Sequence, residues 1–418
     1  MRIVIVGNGP AATAAVEAVR ETDPVSDITV ISGEGGCAYT PCFLAKFVAG
    51  TADVAKLALK CDDFYEVNRV EVFAGSAVAS VEPSEHRVVL ADGTTVDYDR
   101  LLLACGARPV VPEKPDLSGE DVFYFRTLAD ATAIRDRADG VRDAVVLGSG
   151  FVAMEIAEAL TEAGVTASLV ARTEHILRRV FDPEVADMVE AHLTRHGVHF
   201  FKCCNLVDLE RDAGGRLSAA VLSSGERVPC GMLVVGVGMQ PNIDIVAGTA
   251  VACDRGILTD AAMRTSVPDV YAAGDVAQAD IGGVCKVNLI HPNAVATGRV
   301  AGANMAGGNR TMAAHLPDMN VLTLFGRSFL AVGALEGQTV LRRTEASGDL
   351  VKVFADADGL VKGVELVGDV TRGGLYASLA ARGIHVAEVP GLLSPDFNYA
   401  ETSGQAMRRP RAASAPCR

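Results

Sequence analysis

The sequence predicts an α/β protein: two Rossmann-like dinucleotide-binding units and a small C-terminal α+β domain. Three observations lead there. A β-branched run at the N-terminus enters a glycine turn and then an alanine-rich helical stretch, as Gly7-Asn8-Gly9-Pro10-Ala11-Ala12. The same pattern returns at Gly148-Ser149-Gly150-Phe151-Val152-Ala153. From Asp318 onward strand-like runs alternate and close on one helical stretch, with no further turn of that kind. Two strand–turn–helix copies in one chain carry far more information than one.

The elements follow in order. Residues 2–6 form the first strand, a helix runs to about residue 21, and residues 28–31 form the second strand. The second unit repeats this with a strand at 144–147, a helix to about 163 and a strand at 167–171. Further strands are expected at 70–73, 87–90, 101–104, 232–235 and 270–271. Pro183–Arg195 reads as a helix, with Asp182 as N-cap, Pro183 at N1 and Gly197 just past its end. The last unit has strands at 321–325, 351–354 and 361–366 and a helix near 375–382. The tail, 396–418, turns basic and rich in Ala, Ser and Pro from about Ser403 and reads as disordered.

Composition bounds the function. With 418 residues, 49% hydrophobic and 22% charged, the chain can bury two or three domain cores. A formal net charge of −14 disfavours nucleic acid or an anionic membrane as main partner, because both need basic patches. No apolar run reaches the ~18–20 residues of a transmembrane helix. The apolar N-terminus is broken by Gly7 and Gly9, so it reads as a strand rather than a signal peptide, and the expected location is the cytoplasm. Ten cysteines are too few for a disulfide framework.

The glycine turns point to pyrophosphate. That group needs close backbone approach, unpaired N–H donors and the positive end of a helix dipole. Gly7 and Gly9 provide this with Pro10 and Ala11, and Gly148 and Gly150 provide it with Val152. The third position, Ala12 or Ala153, is small enough for helix–strand packing. A carboxylate near the end of the second strand grips ribose hydroxyls, which selects Glu34 in the first unit. The second unit has no acid at that tip. Arg172 and Arg178 stand there instead and suit a 2′-phosphate, so NADPH is expected over NADH.

Four further stretches carry a resemblance. They are residues 101–109, with Cys105 and Gly106; residues 237–242, with Gly238; Tyr271-Ala272-Ala273-Gly274-Asp275; and Pro292-Asn293-Ala294-Val295. Together with the two cradles they resemble the FAD-dependent pyridine nucleotide–disulfide oxidoreductase family. The branch concerned holds NADH oxidases, CoA-disulfide reductases, ferredoxin and rubredoxin reductases, and the flavin subunit of phenylglyoxylate dehydrogenase. The resemblance implies FAD in the first cradle and NAD(P)H in the second. It implies an FAD domain of 1–110 and 240–310, an inserted NAD(P) domain of 111–239 and a dimerisation domain of 311–395, hence a homodimer. Asp275 would hold the ribityl chain, and the helix opened by Pro292 and Asn293 would face the flavin.

The reacting positions decide the acceptor. Thr40 is a suitable N-cap and Pro41 a suitable N1, so Cys42 should lie in a first helical turn with its thiol pKa lowered, and Lys46 one turn on. Cys42 resembles the single redox cysteine of the oxidases and CoA-disulfide reductases, which implies a small disulfide or sulfur acceptor. The same stretch also resembles ferredoxin reductases, which implies an Lys46–Glu155 pair beside the flavin and an iron–sulfur partner. A redox-sensing flavoprotein is the non-enzymatic alternative. Cys37 and Cys42 have the spacing of a redox disulfide, which remains a further reading. Pro10 stands where oxidase relatives carry an acid–base histidine, and His291 is the histidine expected near the ring. His192, His196 and His199 read as a solvated helix face, and no metal is expected.

Overall fold

The computed structural model describes residues 1–61, 63–281, 283–312 and 318–398. The first sheet is parallel, in the order Val270–Ala272, Arg100–Leu103, Arg2–Val6, Asp27–Ser32 and Val70–Ala74. The second is also parallel, in the order His199–Phe201, Thr166–Val170, Asp143–Leu147, Met232–Val235 and Val122–Tyr124. In both, the strand that feeds the glycine turn is central. The central strands are almost wholly apolar because both faces are covered, one by helices and the other by a three-stranded antiparallel sheet (78–97 on the first, 206–229 on the second). Ile3, Ile5, Leu101 and Leu102 are fully buried, each contributing about 1.5–3 kcal/mol.

The chain leaves the first sheet after Leu103, builds the second, and returns to the first at Val270. Its two passages between sheets pair as an antiparallel ribbon, Ala107–Pro109 against Met239–Pro241. The insertion therefore hangs on two short strands held together.

The C-terminal unit is an antiparallel sheet in the order Met319–Leu324, Arg327–Gly333, Val361–Val367, Leu350–Ala355 and Thr339–Thr344. Helix Gly373–Arg382 covers one face through Tyr376 and Leu379, both buried. The expected tail lies, from residue 399 on, outside the described residues; Phe397, near its start, is buried against Tyr376. Among the described residues no helix is long and apolar enough to cross a membrane.

Helix Pro183–Arg195 forms as expected, with Asp182 Oδ1 accepting from the Val185 N–H at 3.0 Å. The expected solvated histidine face holds only in part: His196 and His199, just past the helix, are exposed. His192 is buried, its Nε2 lies 2.9 Å from the Leu324 carbonyl, and His196 stacks on Phe325 with centroids 4.2 Å apart. The helix is clamped between the second sheet and the C-terminal unit, a contact that helical spacing alone does not reveal.

Candidate functional site

Each cradle begins with a glycine that no other residue could replace in place. Gly7 has φ +113°, and a Cβ there would lie 2.2 Å from the Ala104 carbonyl oxygen. Gly148 has φ +147°, and its Cβ would lie 2.3 Å from the Gly236 oxygen. Both conditions demand glycine. Gly9 and Gly150 differ: their backbones are extended, and a Cβ would meet nothing within 4 Å. Their missing side chains leave open space at the start of helices Pro10–Thr22 and Phe151–Glu162. Unpartnered first-turn N–H groups and the helix dipole make both positions suited to an anion.

Below the first cradle, Ala11 is buried rather than open to the cleft. A Cβ on Gly298 would lie 2.2 Å from the Ala11 oxygen, and one on Gly302 would lie 2.3 Å from the Ala15 oxygen. Helix His291–Met305 therefore touches helix Pro10–Thr22 backbone to backbone. Pro292 and Asn293 lie in its first turn.

A cleft of about 480 Å³ opens above the cradle, and its walls bring together Gly7, Gly9, Pro10, Glu34, Cys105 and Gly106. Tyr39 fixes Glu34: its hydroxyl donates to Glu34 Oε2 at 2.6 Å and accepts from the Leu128 N–H at 3.0 Å. Cys105 is a structural thiol. It donates to the Asn242 carbonyl at 3.4 Å, the Asn242 amide donates back at 2.8 Å, and burial pushes the thiol up to about 12. Gly238 has φ +136°, and its carbonyl accepts from the Val110 N–H at 3.0 Å, closing the ribbon between the sheets.

Sequence reasoning missed Arg126. Its guanidinium donates to the Ala107 carbonyl at 3.1 Å and meets Asp275 Oδ2 at 3.3 Å. Asp275 sits in a turn whose Gly274 N–H donates to Thr297 Oγ1 at 3.0 Å. Burial raises its carboxyl, while Arg126 and His291 oppose that shift. The signal for Arg126 lay in Thr127-Leu128-Ala129-Asp130. That stretch is a capping box, which fixes the backbone one residue after Arg126.

The redox face departs from expectation. Cys42 lies in a 3₁₀ turn, Pro41–Phe43, and the α-helix begins only at Leu44. Thr40 takes the N-cap position, but its side chain makes no cap bond. So short a turn supplies little dipole. The thiol is exposed at the surface yet hemmed in by protein, and this partial burial pushes its pKa up, with Glu155 and Asp275 adding to the rise. A thiolate favoured by a helix start is not what the structure shows. Cys37 and Cys42 are both free and exposed.

Lys46 and Glu155 come near each other without closing an ion pair within 4.0 Å. The Lys46 ammonium stands 5.3 Å from the Phe43 ring centroid. Glu155, half-buried, is raised to about 7 by burial and by Glu158, with Lys46 pulling the other way.

At the second cradle, Arg172 and Arg178 are exposed on the loop that follows strand Thr166–Val170. That loop is tied to the cradle, since the Leu177 N–H donates to the Ser149 carbonyl at 2.7 Å. Val152 lies in the first turn of the cradle helix.

These features fit two dinucleotides. The Gly7–Gly9 cradle has a glycine that only backbone can approach and, at its side, the Glu34 carboxylate held for a ribose. The second cradle has cationic side chains where the first has that carboxylate.

Comparisons with known proteins agree. Residues 1–307 match the pyridine nucleotide-disulphide oxidoreductase family. The NADH-dependent phenylglyoxylate dehydrogenase subunit epsilon of Aromatoleum evansii is 33% identical over 388 residues, covering 91% of each chain. The CoA-dependent NAD(P)H sulfur oxidoreductase of Pyrococcus abyssi is 32% identical over 358 residues, 82% of this chain and 76% of that one. The reductase of a covalent putidaredoxin reductase–putidaredoxin complex superposes with a TM-score of 0.82 at 25% identity, covering 90% of this chain and 91% of that one. The chain belongs to the pyridine nucleotide-disulphide oxidoreductase family, FAD-dependent NAD(P)H oxidoreductases built from two Rossmann domains and a C-terminal antiparallel sheet domain.

Proposed function

We propose that this flavoprotein moves electrons between NAD(P)H and an iron–sulfur electron-transfer protein, working in the cytoplasm. The observation that carries this reading is the state of Cys42. The residue lies in a three-residue 3₁₀ turn with no side-chain cap bond, and partial burial pushes the thiol pKa up, the direction opposite to that of an activated nucleophile. The likeness to a reductase captured with its redoxin partner supports a protein acceptor. NADPH is the preferred donor on this reading, because Arg172 and Arg178 are exposed on the loop after strand Thr166–Val170 and suit a 2′-phosphate, with Glu174 between them.

FAD, held at the first cradle, supplies the hydride-accepting ring and the change from two-electron to one-electron transfer. The chain's own residues do the rest. Gly7, Gly9 and the start of helix Pro10–Thr22 take the pyrophosphate. Glu34, steadied by Tyr39, takes ribose hydroxyls. Asp275 takes the ribityl chain, and Arg126 balances its charge. Glu155 can hold or release a proton near neutral pH, with the Lys46 cation favouring its ionised form.

A second reading, a small disulfide or sulfur acceptor reduced through Cys42, has one observation in its favour. The thiol is exposed and lies within electrostatic reach of Glu155, Arg126 and Asp275. The name of the Pyrococcus relative also leans that way. We further propose a homodimer through the C-terminal sheet, whose edge strand exposes Met319 and Val321.

Steady-state NADPH oxidation with ferredoxin, rubredoxin, CoA disulfide and polysulfide separates the readings. Cys42→Ser is expected to keep turnover with the iron–sulfur carriers within about twofold. Turnover with the disulfides alone, abolished in Cys42→Ser, would overturn the proposal in favour of the second reading.

A further inference from the structure

We infer that Glu365, acting through Asp182 with Lys352, is a positioning residue for the loop that receives the nicotinamide nucleotide, and that its neutral form is the one that holds the loop in place. This rests on the second cradle holding that nucleotide.

Glu365 lies in strand Val361–Val367 and is fully buried. It belongs to a cross-strand row, Arg342, Lys352, Glu365 and Ala331, on one face of the C-terminal sheet. That face meets the start of helix Pro183–Arg195. Glu365 Oε1 accepts from the Asp182 N–H at 2.7 Å, while its buried Oε2 has no hydrogen-bond partner. Lys352 is paired directly opposite Glu365 in the ladder, yet its ammonium turns to Asp182 and to Glu184, the latter at 3.1 Å. Arg342 meets Glu184 at 2.6 Å. Ala331 carries no charge, and Arg343 points to the other face, where it bonds the Leu393 carbonyl and Glu345.

The charges that face Glu365 are therefore already matched. Lys352 and Arg342 balance Asp182 and Glu184, and nothing remains for a third carboxylate. Burial and the Asp182 carboxylate push Glu365 up to about 8, outweighing the Asp182 N–H bond and the Lys352 cation, which pull it down. Ionisation would set a second negative charge against Asp182 and compete for Lys352. A buried charge without a partner destabilises the elements around it.

Those elements lead to the cradle. Asp182 ends the loop that carries Arg172 and Arg178. Phe181, next to it, is buried and packs edge-on against Phe151 with centroids 6.4 Å apart. Phe151 opens the cradle helix, and Leu177 of the same loop bonds Ser149. A shift at Asp182 thus reaches the cradle through the Phe181–Phe151 ring contact and through the short stretch back to Leu177.

The test is isothermal titration of NADP⁺, and of NAD⁺ as a control without the 2′-phosphate, into the FAD-loaded protein at pH 7, 8 and 9. If only neutral Glu365 holds the loop, about one tenth of the molecules are competent at pH 9, and the apparent Kd rises about tenfold from pH 7. Glu365→Gln keeps an acceptor for the Asp182 N–H and cannot ionise. Its Kd should match the wild type at pH 7 and stay within twofold to pH 9, with flavin content and thermal midpoint confirming the fold. A wild-type Kd that does not change with pH, or a Gln variant that keeps the rise, overturns the inference. Should the variant yield no soluble flavoprotein, proton uptake decides. Wild type at pH 9, titrated in two buffers of different ionisation enthalpy, should take up about one proton on binding, and zero overturns the inference. Lack of any binding heat with either nucleotide at pH 7 overturns the nucleotide reading instead, and the inference falls with it.

Discussion

Four glycine-to-alanine exchanges test which cradle holds which dinucleotide. At Gly7 an alanine would have to keep φ +113° and a Cβ 2.2 Å from a carbonyl oxygen. The conformational strain is about 1–3 kcal/mol and overpacking against fixed backbone adds about 1–3 more. Taking about 2–6 kcal/mol from a total stability of about 5–15 kcal/mol, Gly7→Ala should markedly lower the thermal midpoint and the yield of flavoprotein, and Gly148→Ala should behave alike. Gly9→Ala is different. The backbone is already extended, the Cβ meets nothing within 4 Å, and the exchange of one weak N-cap for another costs roughly 1 kcal/mol or less. The methyl does stand where a pyrophosphate must approach. The same overpacking range, moved from the fold to the ligand, predicts FAD binding weakened about 5- to 150-fold. Gly150→Ala should leave FAD binding intact and raise the KM for the nicotinamide nucleotide over that range. The assay is flavin titration of the apoprotein beside steady-state kinetics, with thermal midpoints as the folding control. A well-folded Gly9→Ala protein that binds FAD as tightly as wild type, or a Gly150→Ala protein that loses FAD instead, would refute the assignment.

Two other outcomes follow from single contacts. Arg172→Ala and Arg178→Ala should each lower kcat/KM for NADPH about 10- to 150-fold, the value of a charged hydrogen bond of roughly 1.5–3 kcal/mol, and leave NADH within about twofold; equal effects on both donors would mean that neither arginine meets a 2′-phosphate. His192 should make the fold acid-sensitive. Burial lowers its pKa below the unfolded value of 6.5, so its contribution is complete above 6.5 and is lost as pH falls through the folded pKa. Urea midpoints from pH 7.5 to 5 should fall in wild type and fall less in His192→Gln; parallel slopes would show that another group dominates.

The fold was legible wherever short-range rules govern. Both glycine turns, the strands they leave and the Asp182 cap can be read from residue type and spacing, because steric exclusion at Gly7 and side-chain capping at Asp182 act within a few residues or against a neighbouring strand. What escaped depends on what the chain brings from afar. His192 reads as solvated by residue type, although it shares a helix face with Val185 and Val189; Phe329 and the Leu324 carbonyl, 132 residues on, complete its burial. Arg126 meets Asp275 across 149 residues. Cys42 was misjudged for a local reason: Thr40-Pro41 does start a helical turn, but the turn is 3₁₀ and three residues long. The expected dipole is nearly absent, and enclosure by protein sets the thiol instead.

That contrast separates two kinds of specificity in this molecule. The scaffold of the two proposed pyrophosphate cradles is built from backbone against backbone: Gly7 on Ala104, Gly148 on Gly236, and Gly298 and Gly302 on the helix that starts at Pro10. Such contacts accept only glycine, so they mark the sequence plainly. The side chains proposed to choose donor and acceptor sit on a loop, a short turn and two helices: Arg172 and Arg178, Cys42, and Lys46 with Glu155. Their chemistry is set by neighbours in other elements. Glu155 shows this most clearly. On an isolated helix it is an ordinary surface acid. Here the protein around it, with Glu158 on one side and Lys46 on the other, brings it to about 7, where a small change in its surroundings moves a proton.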